Sequence, residues 1–296
     1  MSIRHPHTHE PGEPHGHDRG LAHDLPMIVQ RGLGRRGLLA LFGGVGAVAI
    51  AGCGTDDSTS SAATDSGPSQ TPGDPPAGGG GSSATSVAKD EIPEETGGPF
   101  PADGSNGINV LSESGVVRSD ITASFGSASG KAEGVPLSIR MKVYDLEGDG
   151  ATVLSGAAVY LWHCDREGRY SMYSQGVEEE NYLRGVQATD AQGWVEFTSI
   201  FPAAYSGRWP HIHFEVYPNL ADATSRSGKL RTSQLALPED VCARVYEADG
   251  YDDSVGKLAQ TSLDSDNVFS DGYSLQMAKV TGSNDEGWLA TLNVPV

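Results

Sequence analysis

From Asp90 onward, apolar and polar side chains alternate in short runs separated by Gly, Asp and Pro. Val135, Leu137, Ile139, Met141 and Val143 take every second position, ahead of the turn sequence Glu147-Gly148-Asp149-Gly150. A period of two puts alternate side chains on opposite faces and marks a strand with one buried face. Similar runs cover 158–164, 194–200, 211–217 and 230–237, each closed by turn residues. Residues 238–247 predict one helix, and 275–280 with 288–294 predict a closing hairpin. Short strands with few helices between them point to an all-β fold, an antiparallel two-sheet β-sandwich. The chain shows no internal repeat and no Gly-rich phosphate loop.

Upstream the alternation vanishes. Residues 54–88 are almost entirely Gly, Ser, Thr, Pro, Ala and Asp, including the run Gly78 to Gly81, and such a segment buries too little apolar surface to order itself. Before it, Arg35-Arg36 precede an apolar run that ends in Ile50-Ala51-Gly52-Cys53. The run is short and glycine-rich for a membrane span. It resembles a twin-arginine signal with a lipoprotein cleavage box, which implies lipidation at Cys53 and export, with the body held on the outer side of the cytoplasmic membrane or secreted. The expected organisation is a signal region with a His-rich extension over 1–52, a disordered tether over 53–89, and a catalytic β-sandwich over 90–296. Six of the nine histidines, at 5, 7, 9, 15, 17 and 23, lie in the extension and would be lost on processing.

Charge narrows the partners. With 39 acidic and 20 basic residues the net charge is −19, so nucleic acid is a poor partner and a membrane is reached only through the lipid. If Cys53 carries lipid, Cys164 and Cys242 remain as a pair in an oxidising compartment, and a disulfide between them is expected.

The chemistry concentrates in Arg208-Trp209-Pro210-His211-Ile212-His213-Phe214-Glu215-Val216. On a strand, His211 and His213 project together about 6.6 Å apart, while Ile212, Phe214 and Val216 face the core. Two such imidazoles can converge on one metal ion, or can equally be two polar residues on a solvent face. Partners are available in Gly168-Arg169-Tyr170 and in Pro202-Ala203-Ala204-Tyr205. Tyr173 is an alternative to Tyr170. His163 reads as a hydrogen-bonded or surface histidine, Asp165 and Glu167 as solvated turn residues, and Trp162 and Trp194 as core aromatics.

Together these segments resemble the intradiol ring-cleavage dioxygenases, the catechol and protocatechuate dioxygenase family. The likeness runs from Glu95-Thr96-Gly97-Gly98-Pro99-Phe100 to Leu235. It takes in Gly168-Arg169-Tyr170, Arg184-Gly185, Thr189 to Gly193, the Pro-x-x-Tyr loop and the Arg-x-Pro-His-Ile-His strand. The resemblance implies non-haem Fe(III) held by Tyr170, Tyr205, His211 and His213. Two anionic phenolates and two neutral imidazoles suit a hard trivalent ion. It further implies an O2-dependent opening of a small aromatic diol, of catechol, hydroxyquinol or protocatechuate type, to a muconate-type diacid. Tyr205 would leave the metal and take a substrate proton. Arg208 would stabilise developing negative charge, and Gln234 would sit near the reacting oxygens, although one extra residue precedes it here. Pro99, Phe100 and Trp209 are candidate pocket walls.

Two features depart from the family. The interval from Tyr205 to His211 is short, which trims one lip of the site, and the tether replaces the helical dimerisation segment of cytosolic catechol enzymes. The alternative function is a non-catalytic extracytoplasmic module that binds iron or a catecholate.

Overall fold

The computed structural model describes residues 90–147 and 150–296. The signal region with its arginine pair, Cys53, the histidine-rich extension and the tether lie outside the described residues. Among the described residues no helix is long and apolar enough to cross a membrane.

Among the described residues nine strands form two sheets. β1 (Pro136–Glu147), β2 (Gly150–Val153), β5 (Trp194–Ile200), β8 (Lys279–Ser283) and β9 (Gly287–Pro295) make a five-stranded sheet. β3 (Ala158–Trp162), β4 (Arg184–Ala188), β6 (His211–Tyr217) and β7 (Arg231–Ala236) make a four-stranded sheet in the order β4-β3-β6-β7. The alternation of β1 is satisfied directly, because Leu137, Ile139, Met141 and Val143 enter the space between the sheets. They meet Val195 and Phe197 of β5, Leu292 and Val294 of β9, and Val159, Leu161, Ile212, Phe214 and Val216 from the other sheet. Each such large side chain contributes about 1.5–3 kcal/mol by leaving water.

The sheet is not wholly antiparallel as expected, because β9 runs parallel to β1, with Leu137 beside Trp288 and Tyr144 beside Pro295. The closing hairpin β8–β9 does form. It reaches the sheet after a long excursion from β7, so its direction is not tied to that of β1 by a short turn.

Among the described residues there are three short α-helices: α1 (Leu220–Ser225), α2 (Glu239–Val245) and α3 (Asp252–Leu258). Only α2 stands out in the sequence pattern. In α1 the Asn219 side chain accepts the Asp222 N–H, and the helix ends at Arg226 in the left-handed region.

The disulfide expected between Cys164 and Cys242 is not formed; both are free, buried thiols. Cys164 sits in a cluster with Tyr160 and Ala203 on the outer side of the four-stranded sheet, and its Sγ lies 3.7 Å from the Ala203 carbonyl oxygen. Cys242 lies on α2 in the intersheet core. Burial pushes both thiols up, so each behaves as a small apolar side chain.

Candidate metal centre

β6 is buried on both faces. Ile212, Phe214 and Val216 face the intersheet core, which leaves His211 and His213 on the outer face, under a second layer of chain. Strand register places Trp162 of β3 and Gln234 of β7 on either side of His213, and Arg184 of β4 beside Trp162. The rung Arg184, Trp162, His213, Gln234 therefore crosses the whole sheet beneath the site. Directly paired residues have Cβ atoms about 5 Å apart, and the Trp162 ring accordingly stacks on His213 with centroids 5.0 Å apart and planes 5° apart. Trp162 thus lines the cavity and is not an ordinary core residue.

The turn after β3 is built on Asp165, which is buried rather than solvated. Its Oδ1 accepts the Glu167 and Arg169 N–H groups at 3.0 and 2.9 Å, and its Oδ2 accepts from Arg169 Nε at 2.9 Å and Tyr182 Oη at 3.1 Å. Its carbonyl accepts the Ala203 N–H at 3.1 Å, which ties this turn to the loop carrying Tyr205. Arg184 braces Tyr170 from the other side. It is fully buried, donating to the Ser171 hydroxyl and carbonyl at 3.1 and 2.9 Å and to the Pro101 carbonyl at 3.1 Å. Tyr173 turns away, its hydroxyl bonded to Asn106 and to the Ala102 N–H.

Four donor atoms converge as a result. Tyr170 Oη lies 3.2 Å from Tyr205 Oη, Tyr205 Oη 3.1 Å from His211 Nε2, and His211 Nε2 3.0 Å from His213 Nε2. His211 Nδ1 donates to the Trp209 carbonyl, which leaves the Nε2 lone pair facing the cluster. His213 Nδ1 has no hydrogen-bond partner. Burial holds both imidazoles well below their ordinary range, so both are neutral, the form that binds metals. Burial also raises both phenols, and only a cation placed between them would favour their ionised form. Gly98, at φ +67°, passes so close that a Cβ there would lie 3.3 Å from His213 Cε1, so the backbone itself walls the cluster. Among the described residues no group of three or more His, Cys, Asp or Glu could hold a metal. The donor set here is two histidines and two tyrosines, and its chemistry fits a hard ferric ion.

The cavity over these atoms has a volume of about 40 Å³ and is lined by Thr96, Gly98, Pro99, Phe100, Tyr205 and Arg208 among others. That is room for an ion and a few water molecules. Pro99 and Phe100 are walls, as expected. Trp209 is not: it is buried against Ala236, Val268 and Phe269, and its indole N–H donates to the Leu237 carbonyl.

Arg208 reaches over the cluster, with Nη1 3.4 Å from His211 Nε2 and Nη2 donating to Gln234 Oε1 at 2.6 Å. Gln234 is fully buried and donates onward to the Thr96 carbonyl at 2.9 Å, so it braces Arg208 from below. The sequence gives no hint of Asp266, whose fully buried carboxylate accepts from Arg208 Nε at 3.0 Å. Glu95, at the edge of the site, is pushed up to about 7, chiefly by burial and then by Asp271.

Residues 116–224, which include all four donors, match the family model described as Dioxygenase. Among solved structures, an intradiol ring-cleavage dioxygenase from Tetranychus urticae superposes with a TM-score of 0.50 at 21% identity, covering 62% of this chain and 87% of its own. The dioxygenase domain of a dioxygenase and carbohydrate-binding protein fusion from Streptomyces sp. SirexAA-E gives 0.44 at 20% identity, covering 70% and 98%. Hydroxyquinol 1,2-dioxygenase from Pseudomonas putida DLL-E4 gives 0.43 at 16% identity, covering 71% and 68%. The sequence over 116–224 is thus similar to the dioxygenase family, and the domain carries the fold of the intradiol ring-cleavage dioxygenases.

Proposed function

We propose that the domain is a non-haem Fe(III) intradiol dioxygenase that uses O2 to open catechol-type rings between the two hydroxylated carbons, giving muconate-type diacids. The observation that carries this reading is the convergence of two phenol oxygens and two neutral imidazole nitrogens, each 3.0–3.2 Å from the next in the order Tyr170, Tyr205, His211, His213. Tyr170, Tyr205, His211 and His213 would hold the ion. Bound there, ferric iron supplies Lewis acidity that favours the doubly deprotonated diol and an electron-accepting character that opens the ring to O2.

The chain's own residues do the rest. Tyr170 is almost fully buried and braced by Ser174 and the Asp165 turn, whereas Tyr205 is half-buried on a loop whose next two residues are exposed. Tyr205 is therefore the side chain free to move, and as the phenolate it would accept a substrate hydroxyl proton at Oη and become the neutral phenol. Arg208 directs its guanidinium at the same region and stabilises negative charge that develops on the ring. Trp162, Pro99 and Phe100 exclude water from one side.

The test is spectroscopic. Purified protein should contain iron and show a visible tyrosinate-to-iron absorption that shifts on anaerobic addition of catechol, then yield a muconate when air is admitted. Protein that stays colourless and inert after reconstitution with iron would refute the assignment.

The twin-arginine sequence and the box ending at Cys53 support an exported, lipid-anchored form. Labelled fatty acid should enter the wild-type chain and not Cys53→Ala, and equal labelling of the two would refute anchoring at that residue.

A further inference from the structure

Arg208 is the only charged side chain lining the cavity among the described residues, yet it is not a free cation. Its Nε donates to Asp266 Oδ2 at 3.0 Å, its Nη2 to Gln234 at 2.6 Å and to Asp266 Oδ1 at 3.4 Å, and its Nη1 lies 3.4 Å from His211. Asp266 cannot swing away to release it. The Trp209 N–H holds Oδ2 at 2.6 Å, and the Val268 and Phe269 N–H groups hold Oδ1 at 2.8 and 3.3 Å. A carboxylate held by several donors and one guanidinium is a fixed counter-charge. Glu95 lies within electrostatic reach of Arg208 and Asp266, and above its raised value of about 7 it adds further negative charge.

We propose that Asp266 is a positioning residue that fixes the Arg208 guanidinium over the donor cluster and, by neutralising it, restricts the site to ortho-diols that carry no ring carboxylate. This inference rests on the ring-cleavage reading above. A carboxylated ring brings, beside the two diol oxygens, a further negative charge into a partly buried cavity whose one cationic side chain is already paired, and a buried charge without a partner is strongly disfavoured. A ring without a carboxylate brings no such charge. Asp266 lies outside residues 116–224, the part that matches the family model.

The experiment uses the full iron-loaded chain and anaerobic titrations with catechol and protocatechuate, read as the ratio of their dissociation constants. Wild type should favour catechol by at least about tenfold. In Asp266→Asn the ratio should move toward protocatechuate by about tenfold or more, while aerobic kcat for catechol falls about 10–100-fold, as expected when Arg208 loses its anchor. Because Asp266→Asn could fail to fold, Glu95→Gln is the second variant. It removes a charge at a partly exposed position and should move the ratio the same way by about threefold.

An unchanged ratio in soluble Asp266→Asn, or in Glu95→Gln if the first variant is insoluble, overturns the inference. So does a wild type that binds protocatechuate as tightly as catechol. These results leave the proposed reaction standing as long as wild type cleaves catechol. Wild type that neither binds nor cleaves any diol overturns the reaction and the inference together.

Discussion

β1 and β6 are strands of one domain, and they differ in a way that separates stability from function. Along β1 the buried residues Leu137, Ile139, Met141 and Val143 alternate with Ser138, Arg140 and Lys142, which reach toward solvent. Along β6 every residue is buried, polar ones included. A strand with one dry face needs only a partner sheet, whereas one dry on both faces needs a second covering layer. Polar groups under that layer cost free energy unless each finds a partner. On β6 the partners are Trp209 for His211, Lys229 and Tyr217 for Glu215, and for the two histidines a cluster whose chemistry fits a cation. The covered face is where a site can be built.

The sharpest way to break this comparison is to substitute neighbours on β6 that face opposite ways. His213→Ala removes a donor, and the loss of iron affinity should exceed the roughly 10–100-fold typical of losing a supporting partner. Activity and visible colour should disappear together while the thermal transition moves little, and metal analysis checks the first part. Phe214→Ala, one residue on, should instead cost about 3–5 kcal/mol of stability through a cavity between the sheets. Denaturant unfolding checks it, and protein still folded should bind iron. If both variants lost iron and stability equally, the two faces would not be separable.

Glu95 tests the rim of the covered layer through pH. Its folded-state value, about 7, lies above the ordinary carboxyl value of 4.5. Both states are protonated below 4.5. Between 4.5 and 7 the unfolded chain gives up its proton first, so stability falls as pH rises through this window, and the penalty is complete above 7. Glu95→Gln should abolish that part of the pH dependence and stabilise the protein above pH 7 by about 1 kcal/mol, once solvent screening of the partly exposed carboxyl is allowed for. Melting curves of both proteins at pH 4 and pH 8 check it. Equal differences at the two pH values would sink the prediction.

The same contrast explains which parts could be read from the sequence. Period-two alternation gave β1 and β5, because one dry face imposes it, and the run of β6, because its covered outer face carries polar residues. His211, His213, Tyr170 and Tyr205 were legible from spacing and from the family resemblance. Trp162 was not, because its place depends on the register that sets β3 beside β6, and register is decided by sheet pairing rather than by local sequence. Asp165 sits in a Gly-containing turn of the kind that is usually solvated, and only the fold shows its four side-chain hydrogen bonds. Asp266 was invisible for the same reason, since it lies 58 residues from the arginine it pairs with. The disulfide expectation failed because cysteine counting is blind to where each thiol falls, Cys164 packed with Tyr160 and Ala203 and Cys242 on α2 in the intersheet core.

Two tryptophans, both read at first as core, make the finest test. Trp162 stacks on His213 in the rung under the site. Trp194 lies half-buried on β5 with the Arg140 guanidinium 4.4 Å and the Lys142 ammonium 5.6 Å from its ring centroid. A cation over an exposed indole is worth about 0.5–1 kcal/mol, so Trp194→Ala should lower stability slightly through its lost cation and packing contacts and leave diol affinity and the visible absorption unchanged. Trp162→Phe keeps an apolar ring but shrinks the surface against which His213 is held, an aromatic contact worth about 0.5–1.5 kcal/mol. It should shift the visible absorption and raise KM for catechol severalfold, with a comparably small change in stability. The two variants would then look alike in a melting curve and differ in the spectrum. If Trp194→Ala moved the spectrum as much as Trp162→Phe, the outer face of the five-stranded sheet would be coupled to the site, and the division of labour between the two sheets would have to be abandoned.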